Sequence, residues 1–318
     1  MIISNPFIIF VLGLSMLIYG ADVLINNSKN VAYKFNISKT IIGITVVAFG
    51  TSFPELIISI FAAIKNDTSI IMGNIIGSNI ANIGLVLGVS GFIYPIIIKS
   101  NVNRMRYNMA FLFISTISLI FGLIINIINI YYGIFLLLLF YVYIFYLFKY
   151  FLKDDDDETH IDRDDIKHYS LIYLFFFICF GFVLVSLGSD FFIKGTIGIS
   201  RYFGYDNNLI ISMTLVALGT SLPELVTSIV AIKKGETRMA VGNIIGSNII
   251  NILLVIGVCS IISNTFIFDF SSIYFHLTIL LIITLALIFI TLFYKKINRM
   301  VCLFFIILYT IFIYVNFI

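Results

Sequence analysis

Residues 45–89, TVVAFGTSFPELIISIFAAIKNDTSIIMGNIIGSNIANIGLVLGV, align without a gap on residues 214–258, TLVALGTSLPELVTSIVAIKKGETRMAVGNIIGSNIINILLVIGV, and 28 of the 45 positions are identical. Identity that includes the polar positions marks an internal duplication and not shared apolar composition. Upstream the match continues weakly, with Tyr19-Gly20-Ala21-Asp22 facing Leu187-Gly188-Ser189-Asp190 after a one-residue slip. The offset between the copies, 169 residues, decides the topology.

Around these copies the chain of 318 residues is 61% hydrophobic and 11% charged, with a mean hydropathy of +1.12. A soluble domain carries roughly 25% charge, so this composition excludes one. At about 20 apolar residues per bilayer crossing there is room for roughly ten helices and little else, which also excludes an added soluble enzyme domain. Apolar stretches read against polar breaks predict ten spans, near 6–25, 37–64, 70–94, 107–125, 127–152, 170–198, 208–233, 239–262, 272–293 and 298–317. The first has no basic leader region or small-residue cleavage site, so it is expected to stay as a membrane helix.

The basic residues orient the spans. With the N-terminus outside, the inner loops hold Lys29, Lys34, Lys39, Lys99, Arg104, Arg106, Lys149, Lys153, Arg163, Lys167, Lys233, Lys234, Arg238, Lys295, Lys296 and Arg299. Only Lys65, Lys194 and Arg201 fall outside, a bias that places both termini outward. Net charge is +3, the 19 Lys and Arg are scattered and there is no Trp, so nucleic acid is not an expected partner. Residues 153–169 form an acidic cytoplasmic linker without the glycine and ligand spacing of a calcium-binding loop. Cys179, Cys259 and Cys302 lie in apolar runs and read as buried thiols.

An offset of 169 residues spans five helices, an odd number, so a helix entering from one side in residues 1–152 has a counterpart entering from the other in residues 170–318. Two inverted five-helix repeats generate a pseudo-twofold axis in the membrane plane and bring matched residues together at the midplane. Each half can adopt the other's conformation, which gives two states of similar energy, each open to one side. The expectation is an all-α polytopic secondary transporter, not an enzyme.

Within the second and seventh spans, Pro54 and Pro223 deprive the carbonyls of Gly50 and Gly219 of helical partners, so both helices are predicted to break. Such backbone is tolerated in a membrane only where it lines a cavity or meets a ligand. Thr51, Ser52, Thr220 and Ser221 are placed to cap the restarted helices or turn hydroxyls to an ion. Glu55 and Glu224 follow, and an intramembrane carboxylate is costly unless it is paired, protonated or bound to a cation. No Lys or Arg lies at that depth in the repeats, so the missing partner is a soluble cation or a proton. In the third and eighth spans, Ser78 with Asn82 and Ser247 with Asn251 are four apart and present oxygens on one helix face, while Gly73, Gly77, Gly242 and Gly246 permit close packing. An all-oxygen set suits Ca2+ or Na+ and not Zn2+ or Cu+. Asp22 and Asp190 suit helix-end or gating roles.

The paired GTSxPE and GNIIGSNxxN segments resemble the two alpha-repeats of the cation/calcium exchanger superfamily, most closely its sodium/calcium exchanger branch of prokaryotic type. The resemblance implies electrogenic antiport of Ca2+ against several Na+, usually taken as three, with Glu55 and Glu224 as shared acidic ligands. It also implies ligand roles for Thr51, Ser52, Thr220, Ser221, Ser78, Ser247 and Asn82, for the carbonyls of Ala48 and Ala217, and a sliding pair formed by helices one and six. Asn251 stands where some relatives, including potassium-dependent ones, have an Asp, which weakens the case for potassium co-transport. No resident cofactor is expected, a monomer is expected to suffice, and the lipid bilayer and the two ions are the expected partners. A proton/cation antiporter using the same carboxylates and a cation-selective channel are the rival readings.

Overall fold

The first helix begins where Asn5 accepts the Phe7 amide at 2.9 Å ahead of Pro6, and ends where Asn36 turns left-handed at φ 52°. The computed structural model describes residues 5–97, 102–151, 169–202, 219–263, 270–294 and 296–316. These form an all-helical polytopic membrane fold. Seven helices among the described residues are long and apolar enough to cross a bilayer: Pro6–Phe35, Thr68–Ile93, Asn103–Ile124, Ile130–Lys149, Leu171–Ile199, Thr237–Ser263 and Ile273–Phe293. An eighth span is bent by 47° between Lys39–Thr51 and Phe53–Ile64, and a shorter apolar helix covers Arg299–Val315.

In chain order the elements are α1 (Pro6–Phe35), α2 (Lys39–Ile42), α3 (Ala48–Thr51), α4 (Phe53–Ile64), α5 (Thr68–Ala81), α6 (Gly88–Ile93), α7 (Val102–Ile124), α8 (Ile130–Phe151) and α9 (Leu171–Tyr202). They continue as α10 (Leu222–Lys233), α11 (Thr237–Ile249), α12 (Gly257–Ser263), α13 (Phe270–Phe293) and α14 (Arg299–Asn316). Three π-helical segments, Gly43–Val47, Asn82–Leu87 and Ile250–Ile256, join α2 to α3, α5 to α6 and α11 to α12. A short antiparallel ladder, β1 (Ile96–Ile97) with β2 (Lys296–Ile297), ties the chain after α6 to the chain before α14.

α1 and α9 pack against each other along their length. A Cβ on Gly13 would meet the Gly188 carbonyl and one on Gly188 the Gly13 carbonyl, so these positions need glycine for backbone to lie on backbone. Cys179 of α9 is exposed, a correction to the buried reading, because the side of α9 that α1 covers does not include it; Cys259 and Cys302 are buried as expected. α5 and α11 with their π-helical continuations form the interior, where Ile75, Ile80, Ile83, Ile249, Ile252 and Leu253 are fully buried. Gly242 and Gly246 lie against the backbone of Thr40 and Ile44, the close approach their size predicts. The stretch that Gly73 and Gly77 would meet by repeat symmetry, 209–217, lies outside the described residues, as do Ala217, nearly all of the acidic linker and the first part of the seventh span.

Candidate functional site

The second span breaks at Ser52, which has φ −85° and ψ 4°, and Pro54 becomes the second residue of the restarted α4. Ser221 repeats this at φ −92° and ψ 0° ahead of α10, with Pro223 in the same place. Both prolines therefore sit where a missing amide costs least, in the first turn of a helix. Glu55 and Glu224 occupy those same first turns and are 1% and 0% exposed. Helix N-termini favour negative charge, so both carboxylates sit at the end of the restarted helix that stabilises them.

The two halves meet through these residues. Ser52 Oγ donates to Glu224 Oε1 at 3.2 Å, and Thr51 Oγ1 donates to Asn243 Oδ1 at 3.1 Å. Asn251 Nδ2 donates to Asn79 Oδ1 at 3.2 Å, and Asn79 Nδ2 reaches the Asn248 carbonyl at 3.4 Å. The Ala48 carbonyl accepts the Ser52 amide at 3.0 Å and, 3.3 Å from Thr51 Oγ1, is the alternative acceptor for that hydroxyl's one proton. Thr220 is half-buried, next to Ser221.

What this assembly leaves unpaired is specific. Among the described residues, Glu55 Oε2, Glu224 Oε2, the hydroxyls of Ser78, Ser221 and Ser247, Asn251 Oδ1 and both amide atoms of Asn82 are buried without a hydrogen-bond partner. Buried polar atoms are normally satisfied, and each that is not costs about 1–3 kcal/mol. The only buried basic side chain among the described residues is Arg104, which donates to Ser38 Oγ at 2.5 Å. Two carboxylates thus lie inside the membrane fold with no buried basic side chain among the described residues to compensate them and with neutral oxygens from both halves around them. Such a set can coordinate a hard cation and has no thiolate or imidazole to select a soft one.

Several residues that hold this site in place are not among the predicted ligands. Asn74 Nδ2 donates to the Glu55 carbonyl at 3.1 Å and to Ser59 Oγ at 2.9 Å, so it anchors the first acid's helix. Asn243 Nδ2 reaches Thr227 Oγ1 at 3.4 Å and Ser228 Oγ at 3.3 Å. Spacing carried the signal, because Asn74, Ser78 and Asn82 are successively four apart and share a helix face. The freed carbonyl of Gly219 accepts Ser189 Oγ at 2.6 Å. Ala21, the counterpart of Ser189, offers no hydroxyl to the first half. Ser189→Ala is therefore expected to lower the thermal midpoint in detergent, because an unpaired buried carbonyl costs about 1–3 kcal/mol; an unchanged midpoint would show that water replaces the hydroxyl.

The profile of the sodium/calcium exchanger protein family matches residues 5–149 and 173–318. The chain is 36% identical over 245 residues to an uncharacterised membrane protein of Methanocaldococcus jannaschii, covering 76% of this chain and 77% of that one. It is 30% identical over 294 residues to the sodium/calcium exchanger MaX1 of Methanosarcina acetivorans, covering 80% and 82%. Among solved structures, the sodium-calcium exchanger NCX_Mj soaked with Na+ and Sr2+ superposes with a TM-score of 0.78 at 33% identity, over 98% of each chain.

Proposed function

The chain belongs to the sodium/calcium exchanger protein family, and from that premise we propose that it exchanges about three Na+ for one Ca2+ across the cell membrane by alternating access. The family is one of secondary transporters. The observation that carries the reading is the set of buried oxygens, drawn from both halves, that have no hydrogen-bond partner among the described residues. In this reading Glu55 and Glu224 are shared by both ions. Thr51, Ser52, Ser78, Asn82, Thr220, Ser221, Ser247 and Asn251 surround them, with the carbonyls of Ala48 and Ala217. One Ca2+ or two Na+ neutralises two carboxylates, and a third Na+ leaves the loaded site with one positive charge. The two occupancies exclude each other, which couples the fluxes.

We further propose ten spans as two inverted repeats, residues 1–152 and 170–318, joined by a cytoplasmic linker at 153–169, with both termini outside. Contacts between loops support this arrangement because they sort as the basic residues do. Loops assigned to the inside touch one another: Lys39 pairs with Glu236 at 2.7 Å, Arg104 donates to Ser38, Lys34 Nζ donates to the Tyr169 carbonyl at 2.6 Å, and Ile96 pairs with Ile297. Segments assigned to the outside do the same, with Ser263 Oγ donating to Asn66 Oδ1 at 3.1 Å and the Phe7 and Tyr202 rings 5.5 Å apart.

The test is 45Ca2+ uptake into proteoliposomes preloaded with Na+, with K+ or a proton gradient as substitutes, at clamped potentials. Uptake is expected to require internal Na+ and to grow with inside-positive potential, because three charges leave as two enter. Uptake indifferent to Na+ and driven by a pH gradient would replace this reading with proton-coupled antiport, and flux without counterflow would replace it with a channel.

A further inference from the structure

The two halves end their restarted helices in the same turn. Lys65 and Lys234 close α4 and α10 at φ −87° and −84°, and Asn66 and Gly235 follow in left-handed conformations at φ 55° and 77°. The amides of Asp67 and Glu236 then reach back to the carbonyls of Ala62 and Ala231 at 2.9 and 2.8 Å. With the backbone matched, any difference in side-chain partners reports the helices packed against each turn and not the turn itself.

The partners differ completely. Lys234 Nζ lies 2.5 Å from Asp22 Oδ1 and 2.7 Å from Asn26 Oδ1 of α1, and Asn26 Nδ2 donates to Asp22 Oδ2 at 3.0 Å. Glu236, 2% exposed, takes Lys29 Nζ at 3.0 Å and Lys39 Nζ at 2.7 Å. In the other half Asp190, the counterpart of Asp22, pairs with Lys194 of its own helix at 2.6 Å. Asp67 accepts the Ile70 amide at 3.1 Å as a helix cap, and Lys65 stands exposed. The packing follows the charges: α1 lies along α10, whereas α9 barely touches α4 among the described residues.

We propose that Asp22, Lys234 and Glu236 are positioning residues that latch α1 to the 233–237 turn and hold the cytoplasmic side closed, so that the resting protein offers its carboxylate pair to the outside. The proposal rests on the exchange reading above and on its topology. Opening the inner side requires α1 to part from α10 and the turn after it, which breaks two ion pairs, Asp22 with Lys234 and Lys29 with the buried Glu236. Among the described residues, no ion pair at the 65–67 turn opposes the reverse movement. A site that is seldom open to the cytoplasm shows an apparent affinity there reduced by the fraction of time it is open.

Everted membrane vesicles present the cytoplasmic face and right-side-out vesicles the outer face. Half-saturating Ca2+ for Na+-driven 45Ca2+ flux is measured on each for wild type, Asp22→Asn, Lys234→Met and the swapped double variant Asp22→Lys with Lys234→Asp. Each single variant is expected to lower the cytoplasmic value about fivefold and move the outer value less than about twofold, and the swap to return both toward wild type. A cytoplasmic value that is unchanged or raised, or a change confined to the outer face, overturns the proposal. Hydrogen exchange of segments 22–39 and 233–238 in purified protein without Ca2+ reads the latch apart from transport. Faster exchange in Asp22→Asn is expected, and equal rates overturn the latch. Wild-type vesicles with no Na+-driven flux defeat the exchange reading instead and leave hydrogen exchange to decide the latch.

Discussion

Glu55→Gln and Glu224→Gln are each expected to reduce Na+-driven Ca2+ uptake by at least about a hundredfold while the protein stays folded, because removing one member of a buried charge interaction costs about 3–5 kcal/mol. The argument for retained folding is local. Glutamine keeps the shape of glutamate and, at position 224, keeps an oxygen to accept the Ser52 hydroxyl that lies 3.2 Å from Glu224 Oε1. It also removes a buried negative charge that has no basic partner among the described residues, so the empty protein is not expected to lose stability. The measurement that separates binding from folding is the thermal midpoint in detergent with and without Ca2+. A ligand at a hundred times its Kd stabilises the native state by about 2.7 kcal/mol. Wild type is expected to gain that increment, and both variants are expected to lose it while keeping the midpoint of the empty protein. Near-normal uptake, or a retained Ca2+ shift, removes that glutamate from the site.

The features that were legible in the sequence share one property: they are written twice. Pro54 and Pro223, Glu55 and Glu224, and the Gly-Asn-Ile-Ile-Gly-Ser-Asn segments recur at one offset, so their meaning does not depend on tertiary context. The bend of the second span and the meeting of both halves at the acids follow from that repetition, and the structure has them. The π-helical segments were not legible, because the residues around Asn82–Leu87 and Ile250–Ile256 are buried on nearly every face and an extra residue per turn leaves no mark on an apolar run. Partner choice was hidden for another reason. Lys65 and Lys234 are the same residue in the same turn, yet one is exposed and the other bonded to Asp22 and Asn26, a difference set by how the two halves pack. Ser189 and Ala21 differ in the sequence itself, but only the fold gives the hydroxyl its target, the carbonyl that Pro223 leaves free.

That asymmetry between matched positions gives Asn251 particular weight. It is fully buried, its Nδ2 is committed to Asn79, and its Oδ1 has no hydrogen-bond partner among the described residues. With two carboxylates in the site and the proposed ions, the Ca2+-loaded site is neutral and the Na+-loaded site carries one positive charge. The voltage-sensitive step is then the one that moves Na+. Asn251→Asp adds a third carboxylate at the free Oδ1. If that group is ionised, the Na+-loaded site becomes neutral and the Ca2+-loaded site carries one negative charge. The whole cycle still moves one charge, because the cargo is unchanged, but its voltage dependence passes to the Ca2+ step. Calcium/calcium exchange is therefore expected to change from voltage-insensitive to strongly voltage-sensitive, up to tenfold per about 60 mV where the full membrane field falls across the site, and sodium/sodium exchange is expected to change the opposite way. Both are read as isotope self-exchange in proteoliposomes at clamped potentials. Self-exchange with the wild-type voltage dependence would mean that the introduced carboxyl holds a proton in both loaded states. In that case voltage sensitivity should pass to the Ca2+ step only as pH is raised, and its absence at every pH would remove Asn251 from the site.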